Sequence, residues 1–237
     1  MKSSATSSAR PSGSDAGARL RRRPQLSEEV AAHLRELIMT ASIRPGDPVR
    51  MDLTAQRLGV SVTPVREALL LLRGEGMVHL LPHKGYVVAE LSRTDIEDLF
   101  WLQGQMAVRL AIRTAAAITE EQIDDLETLN DELRQAISSD DSQRITLAEF
   151  EFHRVHNHIA GSEKLAWFLL HATRYTPAAL YATDPDWGAV AVDSHARLIE
   201  AYRAGDSEQI VEQTRRQFDD GAARLTRHLE TTGIWDD

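Results

Sequence analysis

The stretch from Leu53 to Val88 constrains this chain most, because its punctuation is compatible with few folds. It runs Leu53-Thr54-Ala55-Gln56-Arg57-Leu58-Gly59-Val60-Ser61-Val62-Thr63-Pro64-Val65-Arg66-Glu67-Ala68-Leu69, then a leucine run, Gly74-Glu75-Gly76, and Pro82-His83-Lys84-Gly85-Tyr86-Val87-Val88. Gly59 tolerates the left-handed backbone with which helices often stop. Thr63 offers a hydroxyl to cap a second helix. Pro64 suits that helix's first position, where an N–H has no intrahelical partner anyway. Ala55, Leu58, Val60, Val65, Leu69 and Leu72 are spaced to form a buried seam between the two helices, with Arg66 one turn in and off that seam. This is the geometry of a helix-turn-helix whose second helix enters the major groove N-terminal end first.

The segment beyond the second helix predicts a wing. Met77 to Leu81 and Tyr86 to Ala89 are short strand-like runs, joined by a tight turn through His83, Lys84 and Gly85. A basic hairpin tip beside a recognition helix can reach phosphates or the minor groove. Arg66 is the candidate base reader, because an arginine can make a bidentate contact to guanine. Ser61, Thr63 and Lys84 are expected mainly on phosphates, and Arg50 is a weaker candidate for groove contact. The bland alternative is a small helical domain with an ordinary surface hairpin.

The same residues carry a resemblance. Arg44-Pro45-Gly46, the run Leu58 to Leu69, and the run Glu75-Gly76-Met77-Val78 through Lys84-Gly85 resemble the winged helix-turn-helix of the GntR family of bacterial transcriptional regulators, over about residues 26–90. Family members usually carry arginine between the Ser and Thr that open the recognition helix. Here that position is Val62, which removes one contact and sets the usual operator sequence aside.

Net charge looks wrong for a DNA binder until the chain is divided. Residues 1–90 hold 13 Lys and Arg against 9 Asp and Glu, the remainder 14 against 27, and together they give the overall −9. A basic module on an acidic body is expected when only one end meets phosphate. At 237 residues two domains of ordinary size fit. The chain has no cysteine, which excludes disulfides and thiolate chemistry and suits a reducing cytoplasm. No apolar run of about eighteen residues exists, so no membrane span is expected. Residues 1–25 read as a disordered tail. Its Arg21-Arg22-Arg23 cluster is either a solvated charge run or an arm that supplements DNA binding.

From Ser92 onward the pattern is helical. Ser92-Arg93-Thr94-Asp95 caps a helix with Leu99, Leu102, Met106, Leu110 and Ala117 at helical spacing. Thr119 starts another with Ile123, Leu126, Leu129, Leu133 and Ile137. Further helices are expected at 142–160, from 163 to about 171, at 187–204 and at 207–231. The architecture is therefore mainly α: a winged helix-turn-helix (26–91), then an all-α bundle of six or seven helices (92–232).

The body is similar to the FCD effector domain of the FadR subfamily, over roughly residues 93–230. The likeness rests on Glu149-Phe150-Glu151-Phe152-His153, on Ser194 to Ala201, and on the Gly205-Asp206 turn. Many such domains hold a divalent metal with one Asp and three His. Carried across, the four positions are Glu149, His153, His195 and Gln217, so two depart from the pattern. Glu149 and His153, at i,i+4, share a helix face and can point at one ion. Gln217 offers only a neutral amide, a poor ligand for zinc, nickel or manganese. Two readings stay open: three ligands plus water around a metal, or histidines that line the cavity or contact a carboxylate directly. His156 and His158 read as surface residues. The arginine usual in the first helix of such a domain is replaced by Gln103, with Arg109 and Arg113 as substitutes that cannot be aligned. Trp101, Trp167, Tyr175, Tyr181 and Trp187 read mostly as packing.

The resemblance implies a cytoplasmic, homodimeric repressor that reads a pseudo-palindromic double-stranded DNA operator. The residues themselves point to a small carboxylic acid as effector, which a metal or histidine pair suits, and to a hinge between the modules at Ala89 to Ser92. Two rivals remain: a metal-dependent enzyme or small-molecule binding protein, and a regulator holding an acyl thioester without metal. No phosphate-cradling glycine loop, Gly-x-Ser-x-Gly elbow or His-Glu-x-x-His helix favours an enzyme.

Overall fold

The computed structural model describes residues 24–139, 141–184 and 186–236. Most of the expected tail, with its arginine cluster, falls outside these residues. Helix α1 (Pro24–Met39) leads into α2 (Met51–Leu58) and α3 (Val62–Gly74), and then into strands β1 (Val78–Leu81) and β2 (Gly85–Val88). Gly59 stops α2 at φ 66°, as its position implied; its N–H reaches back to Gln56 O, and that of Val60 to Ala55 O. The seam also forms as expected. Ala55, Val65, Leu69 and Leu72 are buried, with Leu58 and Val60 half-buried against them.

The start of α3 differs from the expectation. Ser61, not Thr63, is the N-cap residue, and its side chain makes no capping hydrogen bond. Thr63 and Pro64 lie inside the first turn. Pro64 still costs nothing there, because any of the first four helical N–H groups lacks an intrahelical acceptor. Thr63 is exposed and Pro64 buried, so their side chains serve opposite faces.

The wing is a two-stranded antiparallel sheet with Val78 opposite Val88 and Leu81 opposite Gly85. His83 and Gly85 take positive φ (62° and 75°), the left-handed conformation that closes so short a turn. The segment after Arg44-Pro45-Gly46 extends the sheet: Val49 N–H donates to Tyr86 O, and Val88 N–H to Asp47 O.

The body comprises α4 (Arg93–Ala115), α5 (Glu120–Ser138), α6 (Ser142–Ile159), α7 (Glu163–Ala172), a 3-10 turn (Thr173–Tyr175), α8 (Ala178–Thr183), α9 (Trp187–Ala204) and α10 (Ser207–Thr231). Full capping boxes at Ser92/Asp95 and Thr119/Gln122 start α4 and α5. Gly205, at φ 65°, ends α9. The buried face of α4 matches the stripe that spacing suggested only in part: Leu110 is fully buried, and Leu99 and Met106 are half-buried. Leu102 is exposed and Ala117 lies beyond the helix, whereas Ile96, Phe100, Gln103, Gly104, Ala107 and Ala111 face inward. Small residues let α4 and α10 approach closely: a Cβ on Gly104 would stand 3.5 Å from Phe218 Cβ, and one on Gly221 only 2.7 Å from the Phe100 ring.

The two modules share a core. Val30, Leu34, Leu69 and Val88 pack in one cluster with Ile96 and Phe100 of α4 and Leu225 and Leu229 of α10. At the end of α3, Glu75 accepts both arms of Arg35 (2.9 and 2.8 Å) and Arg174 from the body (3.2 Å), while the Tyr175 hydroxyl donates to its carbonyl. The expected hinge is tied down. Ala89 is buried and bonded to Met77 O, Leu91 O accepts the Trp235 indole at 2.6 Å, and Ser92 is locked in its capping box.

Candidate effector site and DNA-contacting surface

The four carried-over body positions converge. Glu149 and His153 project from α6, His195 from α9, and Gln217 from α10. His153 Nε2 lies 3.1 Å from Glu149 Oε1, and His195 Nε2 3.8 Å from Glu149 Oε2. His195 is 1% exposed, stacked at 3.7 Å on Phe152 and edge-on to His153. Glu149, His153 and His195 each offer a ligand atom, all within 4.8 Å of one another. Glu149 Oε2, His195 Nδ1 and Gln217 Nε2 are buried without a hydrogen-bond partner, and such groups cost roughly 1–3 kcal/mol each when left so.

The electrostatics of the cluster are unresolved within the protein. Burial strips the proton from His195, whose pKa falls to about 4. Burial pushes the Glu149 carboxyl up, but the positive charge of His195 and the hydrogen bond and charge of His153 outweigh it and hold it low. The two demands oppose each other: Glu149 is kept ionised by a proton that burial removes from His195. At neutral pH we take His195 as neutral. The buried carboxylate then needs positive charge from elsewhere, and a neutral imidazole beside it is in ligand form. The donor set therefore fits a divalent cation.

Two hollows meet at this cluster. One of about 330 Å³ is bordered by polar residues including Ser194, Arg197 and Arg216. The other, about 800 Å³, is lined by Phe100, Ala107, Leu169, Leu198, Phe218 and other residues. Glu149, His153, Trp187 and Gln217 border both.

Other sequence expectations need correction. His156 is not a surface residue: it is 4% exposed, with the Tyr202 hydroxyl 2.6 Å from Nε2 and Asn157 Oδ1 3.1 Å from Nδ1. Burial lowers its pKa to about 4, with the charge of His153 adding to the effect. Helix α9 covers it by bringing Tyr202 against the ring. His158 is exposed as expected. Gln103 is fully buried, donating to Ala172 O (3.1 Å) and accepting from Thr176 (3.2 Å), and it lines the large cavity. Arg109 and Arg113 are exposed and do not border it. Trp101 is 64% exposed rather than packed, while Trp167 and Trp187 line the cavity. The Tyr181 side chain lies outside the described residues. Sequence reading missed Thr173 and Arg174, which border the cavity beside the contact with Glu75; only their distance along the chain from α3 concealed them.

At the other end, Ser61 at the N-cap and Thr63 and Arg66 on the first turns of α3 are exposed, and His83, Lys84 and Gly85 are exposed at the wing tip. Arg50 is the exposed N-cap residue of α2, 3.7 Å from Asp52.

Fold and site define a two-part molecule, a winged helix-turn-helix module fused to an all-helical body holding a partly buried histidine–carboxylate cluster. Residues 26–88 match the pattern described as bacterial regulatory proteins, gntR family, and residues 98–220 match the FCD domain. The chain belongs to the gntR family of bacterial regulatory proteins and carries an FCD domain as its body. It is 28% identical over 144 residues to the uncharacterized HTH-type transcriptional regulator YdfH of Escherichia coli O6:H1, covering 61% of this chain and 63% of that one. Less than two thirds of that relative is thus spanned. To the uncharacterized HTH-type transcriptional regulator YdhC of Bacillus subtilis it is 25% identical over 208 residues, 83% and 89% of the two chains. Among solved structures, Escherichia coli McbR/YncC superposes with a TM-score of 0.66 at 21% identity over 85% of this chain and 97% of its own, a likeness of fold alone. Among the described residues no helix is long and apolar enough to cross a membrane.

Proposed function

We propose that this protein is a homodimeric, ligand-responsive DNA-binding regulator, a repressor whose grip on a pseudo-palindromic operator is set by a carboxylate effector held in the helical body. The observation that carries the ligand half is the set of buried, partnerless atoms on Glu149, His195 and Gln217. Groups so expensive to bury are kept where something completes them. Glu149, His153 and His195 would hold a divalent cation, zinc, nickel or manganese, which supplies Lewis acidity toward an effector carboxylate. Gln217 is a poor ligand but a good donor, and its unpaired Nε2 would hydrogen-bond that carboxylate.

The DNA half rests on the exposed first turns of α3 and the exposed wing tip. Arg66 would contact bases in the major groove, Ser61, Thr63 and Lys84 would contact phosphates, and Arg50, His83 and Gly85 would add further DNA contacts. One recognition helix and one wing read few base pairs, so two copies related by a two-fold axis are needed for useful specificity.

The test is to select duplexes from a random library, then titrate the best one at several salt concentrations. The reading requires a steep fall of affinity with salt and a retained preference for the selected sequence at every salt. Binding indifferent to sequence would contradict it.

A further inference from the structure

Resting on the proposed effector site, we infer that the ligand is an amphipathic monocarboxylate with a bulky apolar body, rather than a small polar acid. The carboxylate cluster stands at a boundary. On one side is the smaller hollow bordered by Ser194, Arg197 and Arg216, on the other the cavity of about 800 Å³. Cavities of roughly 300–1,000 Å³ bury drug-sized molecules, so a two- to four-carbon acid would leave most of this one empty. Phe100, Ala107, Leu169, Leu198 and Phe218 form an apolar wall. Water in contact with such a wall has few hydrogen-bond partners, whereas methylene or aromatic groups match it.

The rim points the same way. Phe150, Trp167 and Leu170 border the cavity yet remain 47%, 52% and 48% exposed, an apolar entrance. The cavity's borders also set the orientation. They include Glu149, His153 and Gln217 at the cluster, and Ala32 of α1 together with Thr173 and Arg174 where the DNA-binding module docks. A head fixed at the cluster therefore sends its apolar body toward the docking contact of the DNA-binding module, and a short acid does not extend so far.

The experiment is calorimetric titration of the full chain, supplied with zinc, with acetate, hexanoate, decanoate, 4-phenylbutyrate, malate and 1-decanol. Affinity should rise about four-fold per methylene, the equivalent of about 0.8 kcal/mol, until the cavity is filled. Decanoate should bind at least 100-fold more tightly than acetate, malate or decanol. Ala166→Leu and Ala107→Leu, on two different wall helices, should each lower decanoate affinity at least ten-fold more than acetate affinity. Two variants guard against one that fails to fold. Acetate or malate binding as tightly as decanoate would overturn the inference while leaving the carboxylate site standing. Decanol matching decanoate would overturn the carboxylate head. A chain-length series unaffected by His153→Ala would place the apolar ligand away from the cluster, and the proposed effector site itself would then be wrong.

Discussion

Arg66 concentrates the DNA-reading claim in one side chain. It is exposed on the first turns of α3, while Val65, Ala68 and Leu69 turn the opposite face into the core, so truncation there should leave packing intact. Arg66→Ala should lose about 1–3 kcal/mol of specific binding and relax the preference at one operator position, without changing the melting temperature. Fluorescence anisotropy with matched and mismatched duplexes reads both effects, and full affinity at equal salt would refute the assignment. His156 makes a different prediction, about pH. Its folded pKa of about 4 lies below the ordinary 6.5. Above 6.5 neither state carries the proton, so this group contributes no pH dependence there. Between 6.5 and 4 the unfolded chain takes up a proton that the folded chain refuses, and stability falls as pH falls, by up to about 3 kcal/mol. Thermal melts from pH 8 to 4 should show this decline beginning above the carboxylate range, and His156→Gln should reduce it, leaving the share of His195, whose pKa also falls to about 4. A stability that rises on acidification through that window would be incompatible with a buried neutral imidazole.

At the scale of elements, Glu75 is the pivot. It ends the recognition helix, and its carboxylate holds Arg35, whose side chain is 7% exposed, and Arg174 from beside the cavity. Removing one member of such a buried pair leaves the other charge uncompensated, which costs about 3–5 kcal/mol. Glu75→Gln should lower stability by that order and weaken the effect of ligand on DNA binding, whereas Arg174→Gln, whose partner Glu75 keeps Arg35, should cost less and affect mainly the coupling. Chemical denaturation and ligand-dependent anisotropy separate the two outcomes; equal losses of stability would count against this assignment. Elements with local signals were legible from sequence. The caps at Ser92 and Thr119, the stops at Gly59 and Gly205, and the wing turn at His83 to Gly85 all depend on nearby residues. The α4 face was legible only at Leu110 and, in part, at Leu99 and Met106, because leucine spacing says nothing of a partner helix admitted by Gly104 and Gly221. The cap of α3 was misassigned because Ser61 and Thr63 are both good capping residues, and sequence alone does not choose between them. The convergence of Glu149, His153, His195 and Gln217 came from family resemblance; periodicity by itself paired only Glu149 with His153. The Glu75–Arg174 contact, linking residues 99 apart, left no local trace.

At the scale of the molecule, the positive charge of residues 1–90 is concentrated in residues 1–25, the winged module itself is near neutral and the body is strongly acidic, which favours the N-terminal end for phosphate and repels the other. Two such modules presented by a two-fold dimer would read an inverted repeat, and light scattering should give twice the 26.4 kDa chain mass, with two chains per operator. A monomer that shifts DNA one to one would exclude that assembly. Because the modules share one core and Glu75 is held from both sides, ligand binding is expected to shift the docking of the DNA-binding module rather than swing it freely about Ala89 to Ser92. A preference of about 1–3 kcal/mol for one docking would change operator affinity roughly 5- to 150-fold. The most direct measurement is operator affinity of the double variant His153→Ala with His195→Ala, with and without zinc and decanoate, beside the unaltered chain. Ligand-free DNA binding should be unchanged and the ligand effect reduced to nothing. A double variant whose operator affinity still responds to ligand as the unaltered chain does would contradict an effector site at this cluster.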